Sequence, residues 1–399
     1  MVASTLYKVR SRACGAAGLV CAVLALPPAN ARAEDTPLLA WDASYVADVS
    51  TVAEGPDKDT AALGYASLSA DLSLEKAAGW RGARLFVHGI ATMGDRPNDI
   101  AGTIQGIDNI EAPEHRAKIY ELYLEQRVAG GAGTVRLGFS DLNAEFYATD
   151  SSALLMAPAF GIGSELAATG PNGPSIFPST ALMARVRYET ASGTYVQAAV
   201  VNAEAGVIGD SSGIPPLFGK GALAIAELGS LHRGKIALGG WIYTEKQEDI
   251  RFLTPAGDPV PKQAFGFYAL FDQLLAGNDD RGVNLFARVG LSDGATTPFT
   301  GGWQAGLLAH GVIKGRPDSQ LSFGMNQAFL SHRYRDNAAD AGIATRRQES
   351  ALELTYADKL FAWLTVQPDV QYIWNADRLA GGDHALVFAL RFKASAAGH

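Results

Sequence analysis

Short segments in which apolar and polar residues alternate recur along this chain, and they confine it to β structure. In Ser67-Leu68-Ser69-Ala70-Asp71-Leu72-Ser73-Leu74-Glu75 the apolar residues fall on one face, and serines and carboxylates fall on the other. Leu364 to Tyr372 sets Leu364, Val366, Val370 and Tyr372 against Thr365, Gln367, Asp369 and Gln371. Leu182 to Glu189 repeats the scheme, with Arg185, Arg187 and Glu189 on the polar side. A period of two is the signature of a strand, because a helix would group residues three and four apart.

The same template predicts sixteen strands, near 39–50, 62–76, 82–94, 116–128, 132–142, 180–190, 194–202, 218–230, 234–246, 263–272, 282–292, 301–314, 318–331, 346–357, 362–375 and 384–393. The connections after even-numbered strands are short, as at Ala77 to Arg81, Ala129 to Gly131 and Ala191 to Gly193. Those after odd-numbered strands are mostly longer, as at Asp95 to His115, Leu142 to Thr180, Ala203 to Leu217, Gln247 to Lys262 and His332 to Thr345. Sorting by parity gives one trimmed end and one elaborated end, which is the arrangement of bacterial outer-membrane barrels with short periplasmic turns. A water-soluble sandwich has no reason to sort its loops this way. After residue 33 no apolar run approaches 18 residues, so a membrane location requires a closed barrel with no free sheet edge.

Export is written at the N-terminus. Lys8, Arg10 and Arg12 precede an apolar core from Ala13 to Leu26, Pro27-Pro28 breaks it, and Ala31-Arg32-Ala33 supplies a small-x-small cleavage site. The chain is therefore expected to divide into a cleaved signal, 1–33, and one barrel domain, 34–399. A lipoprotein signal at Cys21 is disfavoured by Val20, which stands where a small residue is needed. Cys14 and Cys21 both lie in the signal, so the mature chain has no disulfide and no thiolate chemistry. The signal takes four of the 33 basic residues, leaving a mature net charge of 29 − 41 = −12. That balance argues against nucleic acid as a partner, since phosphate neutralisation needs Lys and Arg.

The reading is thus an all-β chain: a transmembrane up-and-down antiparallel β-barrel of sixteen strands. A barrel of that size leaves an aqueous channel. The third extracellular loop, Leu142 to Thr180, has apolar anchors Phe146, Phe160, Ile162 and Phe177. It is expected to fold inward as a constriction, with a self-packed surface loop as the alternative.

Several stretches resemble a known family. Gly138-Phe139-Ser140-Asp141-Leu142-Asn143-Ala144-Glu145-Phe146 is similar to the G-x-x-D-x-N-x-E-F stretch of the carbohydrate-selective outer-membrane porins, the OprB-type family. Glu121 to Gln126 precedes it, and Phe177-Pro178 with Met183 to Arg187 follows, in the family's order. Gln348 to Tyr356 and Leu364 to Tyr372 resemble its two penultimate strands. The resemblance runs from about residue 60 to Phe392, with 203–320 matching only in general character. It implies a sixteen-stranded channel in the outer membrane of Gram-negative bacteria that admits glucose and related sugars by passive diffusion. The chain departs from the family at Asn375-Ala376-Asp377-Arg378, where Asn-Pro-Gly is common, and at its end, where Lys393 to His399 follow the aromatic Phe392.

Sugar recognition calls for planar hydrogen-bonding groups and aromatic faces. Alternation places Arg84, His88, Glu121, Tyr123, Arg127, Arg136, Arg185, Arg187, Arg288, Glu353 and Arg391 on polar faces, where they are candidates to line the lumen. Asn143 and Glu145 open the third loop and are candidates for the constriction, or for anchoring the loop. Each lumen residue is alternatively a plain solvated group or half of an ion pair. Outward aromatics such as Trp41, Tyr45, Tyr188, Tyr356, Tyr372 and Trp374 fit interfacial girdles against outer-membrane lipid.

No enzyme is expected. Gly290-Leu291-Ser292-Asp293-Gly294 matches a nucleophile elbow in form only, because Ala295-Thr296-Thr297-Pro298 follows where a helix should start. Gly213 to Lys220 lacks Walker spacing. No His-Glu-x-x-His occurs, and the seven scattered histidines form no metal-ligand pattern, so no cofactor and no metal are expected. The partners in view are small saccharides in transit and membrane lipid, with assembly as a homo-oligomer such as a trimer left open. The rival reading is a general or cation-preferring porin, suggested by the acidic balance.

Overall fold

The computed structural model describes residues 37–206, 217–375 and 384–399. The expected export signal, the 207–216 part of the seventh connection and most of the Asn375 to Arg378 departure lie outside the described residues. Eighteen strands follow in chain order: β1 Leu39–Glu54, β2 Thr60–Ser73, β3 Ala83–Gly94, β4 Arg116–Val128, β5 Gly133–Ser140 and β6 Ala181–Glu189. Then come β7 Thr194–Asn202, β8 Ala222–Ser230, β9 Gly234–Tyr243, β10 Gln247–Leu253, β11 Pro259–Lys262 and β12 Phe265–Gly277. The last are β13 Gly282–Ser292, β14 Phe299–His310, β15 Gln320–Leu330, β16 Gln348–Phe361, β17 Leu364–Trp374 and β18 His384–Gly398.

Sixteen of these form one closed barrel, in which each strand pairs with its sequence neighbour and β18 returns to β1. The β10–β11 hairpin stands apart in the connection between β9 and β12. All sixteen strands expected from alternation are present. The hairpin and a helix at His332–Asp340 were not expected, because both lie in long connections where no barrel period runs. The last strand does not stop at Phe392. It continues to Gly398, opposite Trp41, so the residues after that aromatic are ladder rather than tail.

The two faces of the barrel differ as lipid and water demand. On β8 and β9, Leu228, Ile236 and Leu238 point outward and are exposed, while Glu227 and Ala237 between them are buried. No helix among the described residues is long and apolar enough to cross a membrane, and closure leaves no open edge for lipid to meet. Gly138 of the Gly138-to-Phe146 motif has φ 146°, and a Cβ there would overlap the Leu122 carbonyl oxygen on β4. Only glycine lets β5 approach β4 at that point.

Candidate functional site

Carboxylates on the inner wall hold two loops inside the barrel by their main chain. In the second loop, 95–115, the backbone N–H groups of Ile104 and Gln105 both donate to Glu349 of β16 at 2.9 Å. In the third loop, 141–180, Met156 and Ala157 both donate to Glu353, the latter at 2.9 Å, Ser151 donates to Asp272 at 2.8 Å, and Tyr147 donates to Glu227 at 3.1 Å. Arg288 works in the opposite sense, donating to the carbonyls of Tyr147 at 3.0 Å and Gly161 at 2.8 Å, and to that of Ala159. The two loops also meet, where Asn109 donates to the Leu155 carbonyl at 3.3 Å. A charged acceptor on a main-chain N–H is roughly twice as strong as a neutral bond, and these acceptors are buried.

The wall under the third loop is made shallow by glycine. A Cβ at Gly290 would overlap Glu165 and Tyr147 of the loop, and one at Gly324 would press on Leu155 and Phe160 at 2.6 Å. Strands β13 to β15 therefore let the loop lie close against them, while the opposite wall, β3 to β6, carries longer charged side chains inward.

That opposite wall carries a cage of arginines and carboxylates. Glu125 of β4 accepts from Arg84 of β3 at 2.7 Å, Arg136 of β5 at 2.9 Å and Arg185 of β6 at 2.8 Å. Glu145, reaching in from the third loop, pairs with Arg136 and with Arg185, each at 2.6 Å. Arg84 also pairs with Asp71. The cage thus holds three guanidinium groups and three carboxylates. Burial alone would raise the Glu145 carboxyl, but Arg136 and Arg185 outweigh it and hold it below its ordinary value. The Arg136 guanidinium lies 4.0 Å from the Tyr123 ring centroid, and Phe86 stacks on that ring at 4.9 Å. Arg84 and Asp71 keep side-chain exposures of 20% and 22%, so this edge of the cage meets the water of the lumen.

Of the residues predicted from sequence, Arg84, Tyr123, Arg136, Glu145 and Arg185 are brought together here. His88 and Glu121 adjoin it: the imidazole is 3.2 Å from Glu121 and 2.9 Å from Ser67, and Glu121 accepts from the Asp141 N–H at 3.0 Å. Arg187 stands apart, bonded to Gln197 at 3.0 Å and Glu189 at 2.9 Å, with its charge 4.1 Å from the Tyr195 ring. Asn143 makes the contacts of a loop anchor, donating to the Phe146 carbonyl at 3.1 Å. Arg288 and Glu353 hold the third loop, and Arg391 grips Asp48 at 2.6 Å and Asn109 of the second loop at 2.8 Å. Arg127 joins none of these groups. It is exposed one residue before β4 ends, where the strand leaves the wall.

Glu125, at the centre of the cage, was missed although it shares the inward parity of Glu121 and Tyr123. Glu227, Asp272 and Glu349 were missed for a different reason. Each acts on a loop distant in sequence, and no local pattern reports that.

The profile of the carbohydrate-selective porins, OprB family, matches residues 57–395. Porin B of Pseudomonas aeruginosa is 23% identical over 368 residues, covering 82% of this chain and 80% of its own length. The high-pH structure of Pseudomonas putida OprB superposes with a TM-score of 0.78 at 22% identity, covering 90% of this chain and 94% of that one. The outer-membrane channel DcaP of Acinetobacter baumannii shares the fold more distantly, with a TM-score of 0.56 at 10% identity over 90% and 97% of the two chains. A matched profile across the barrel, on a closed sixteen-strand wall with a polar interior, makes this chain a member of the carbohydrate-selective porin family of the bacterial outer membrane.

Proposed function

We propose that glucose and related saccharides cross this channel past the Arg84–Arg136–Arg185 cage, through an opening narrowed by the second and third loops. The observation that carries this reading is the pairing of charges around an aromatic face. Three arginines meet three carboxylates, so the cage offers donors and acceptors without a net charge to concentrate ions. Vicinal hydroxyls fit guanidinium forks and carboxylate oxygens, which the cage presents to the lumen at its Arg84–Asp71 edge, while the buried Tyr123 and Phe86 rings back the guanidinium groups. Weak contacts at several such groups allow entry and exit, which one tight site would prevent. Passage is diffusion, with no bond made or broken, and the chain needs no cofactor for it. Outward Trp41, Tyr45, Tyr188 and Tyr372, all exposed, support contact with the lipid interface.

The test is a planar bilayer containing the full barrel. Added glucose or a short glucan should reduce the ion current in a saturable way, and liposomes carrying the protein should swell in glucose. An unchanged current together with no swelling would overturn the saccharide reading, and swelling without any block would leave the channel a general porin. The cation-preferring alternative predicts a strongly positive-ion-selective reversal potential, which the balanced cage does not support.

A further inference from the structure

Glu227 lies outside the cage, yet five donors converge on it. Tyr195 Oη is at 2.6 Å, Tyr268 Oη at 2.7 Å, the Tyr147 N–H at 3.1 Å, Gln197 Nε2 at 3.2 Å and Lys235 Nζ at 3.4 Å. Its side chain has no exposed surface. Two of those donors also hold the third loop themselves: Gln197 donates to the Glu145 carbonyl at 2.8 Å and Lys235 to the Ala148 carbonyl at 2.9 Å. The ring of Tyr147, whose N–H Glu227 takes, is stacked on Tyr268 at 4.1 Å. Three adjacent strands, β7, β8 and β9, therefore grip the main chain from Glu145 to Ala148, and Glu227 links the three grips.

We infer that Glu227 is a positioning residue for transport: it fixes the start of the third loop so that Glu145 reaches the Arg136 and Arg185 forks. It sets the width and hydrogen-bonding order of the cage without touching the passing sugar. Main-chain gripping suits this task, because a displaced backbone at Tyr147 moves Glu145, two residues earlier, away from contacts of 2.6 Å. The inference rests on the cage being the saccharide path.

The test is a double-variant cycle on the full barrel in planar bilayers, with folding checked by heat-modifiable gel migration. Glu227→Gln and Glu145→Gln should each raise the glucose concentration for half-block by threefold or more. The double variant should go no further than the larger single change. A folded Glu227→Gln barrel with wild-type block beside a shifted Glu145→Gln overturns the inference, and so do two effects that multiply. If Glu227→Gln does not fold, Tyr195→Phe removes one donor. It should give a smaller shift in the native background and none when Glu145 is already Gln, and a persisting shift overturns the idea. If the native channel shows no glucose block, the saccharide reading fails by itself. The same cycle is then read on reversal potential, where non-additivity still supports Glu227 and additivity still refutes it.

Discussion

Replacing Glu125 with Gln removes the one carboxylate that touches all three arginines of the cage and leaves the cage one positive charge in excess. The variant keeps the side chain's size and one acceptor oxygen. Its contacts to Arg84, Arg136 and Arg185 at 2.7 to 2.9 Å therefore weaken rather than vanish. An ion passing about 7 Å from the uncovered charge, at an effective dielectric of about 40 to 80 at this wet edge, feels roughly 0.6 to 1.2 kcal/mol. Because the charge attracts an anion by that energy and repels a cation by the same energy, the local ratio of anions to cations changes by about seven- to fiftyfold. The assay is the reversal potential across a bilayer in a KCl gradient, and the chloride-to-potassium permeability ratio should rise by that factor. Glucose block should weaken in the same variant, because a guanidinium without its partner reorients. Stability should fall as well, since removing one partner from a buried pair costs about 3 to 5 kcal/mol. The retained Gln contacts and Glu145 hold the loss to the lower end. A folded Glu125→Gln channel with the native permeability ratio would show that ions pass elsewhere, and the cage would lose its claim to be the path.

Two further outcomes follow from the third loop. Gly290→Ala places a methyl group against Glu165 and Tyr147 and should destabilise the seated loop by about 1 to 3 kcal/mol, as overpacking does. Single-channel records should then show added current noise or flicker, and a recording as quiet as the native one would mean that the loop does not bear on β13. Asp141, at the root of the loop, is pushed up to about 7 by burial and by Glu121 beside it. Its folded value lies above its unfolded one, so its contribution is most favourable at acid pH and declines as pH rises from about 4 to 7. Asp141→Asn removes that decline, worth up to about 4 kcal/mol. Denaturation midpoints of variant and native barrels should diverge in the variant's favour between pH 4 and pH 8. Parallel curves would sink the assignment.

The barrel was legible because its rule is local. Each strand must present an apolar face to lipid and a polar face to water, and a window of about ten residues suffices to see it. Boundaries drifted where that rule lapses. β12 runs on to Gly277 and β16 to Phe361, because strands can extend past the membrane without alternating strictly. The cage was half legible. Parity marked Arg84, Arg136 and Arg185, and the motif marked Glu145, but nothing local says that one glutamate will sit among three arginines on three different strands. Arg288, Glu353 and Arg391 show the same limit from the other side. Parity aimed them inward correctly, and only the seated loops decide that Arg288 and Glu353 hold loop backbone, and Arg391 the Asn109 side chain, rather than line the path.

The wall carboxylates grip their loops through amide hydrogens, and every residue except proline supplies one. Side chains on the free side of the second and third loops can therefore be exchanged without weakening the attachment at Glu227, Asp272, Glu349 and Glu353. For protein engineering this separates two problems that usually interfere. The selectivity of the opening can be rewritten by substitutions on the free side of the loops, while the barrel supplies a mounting that reads only the side facing the wall.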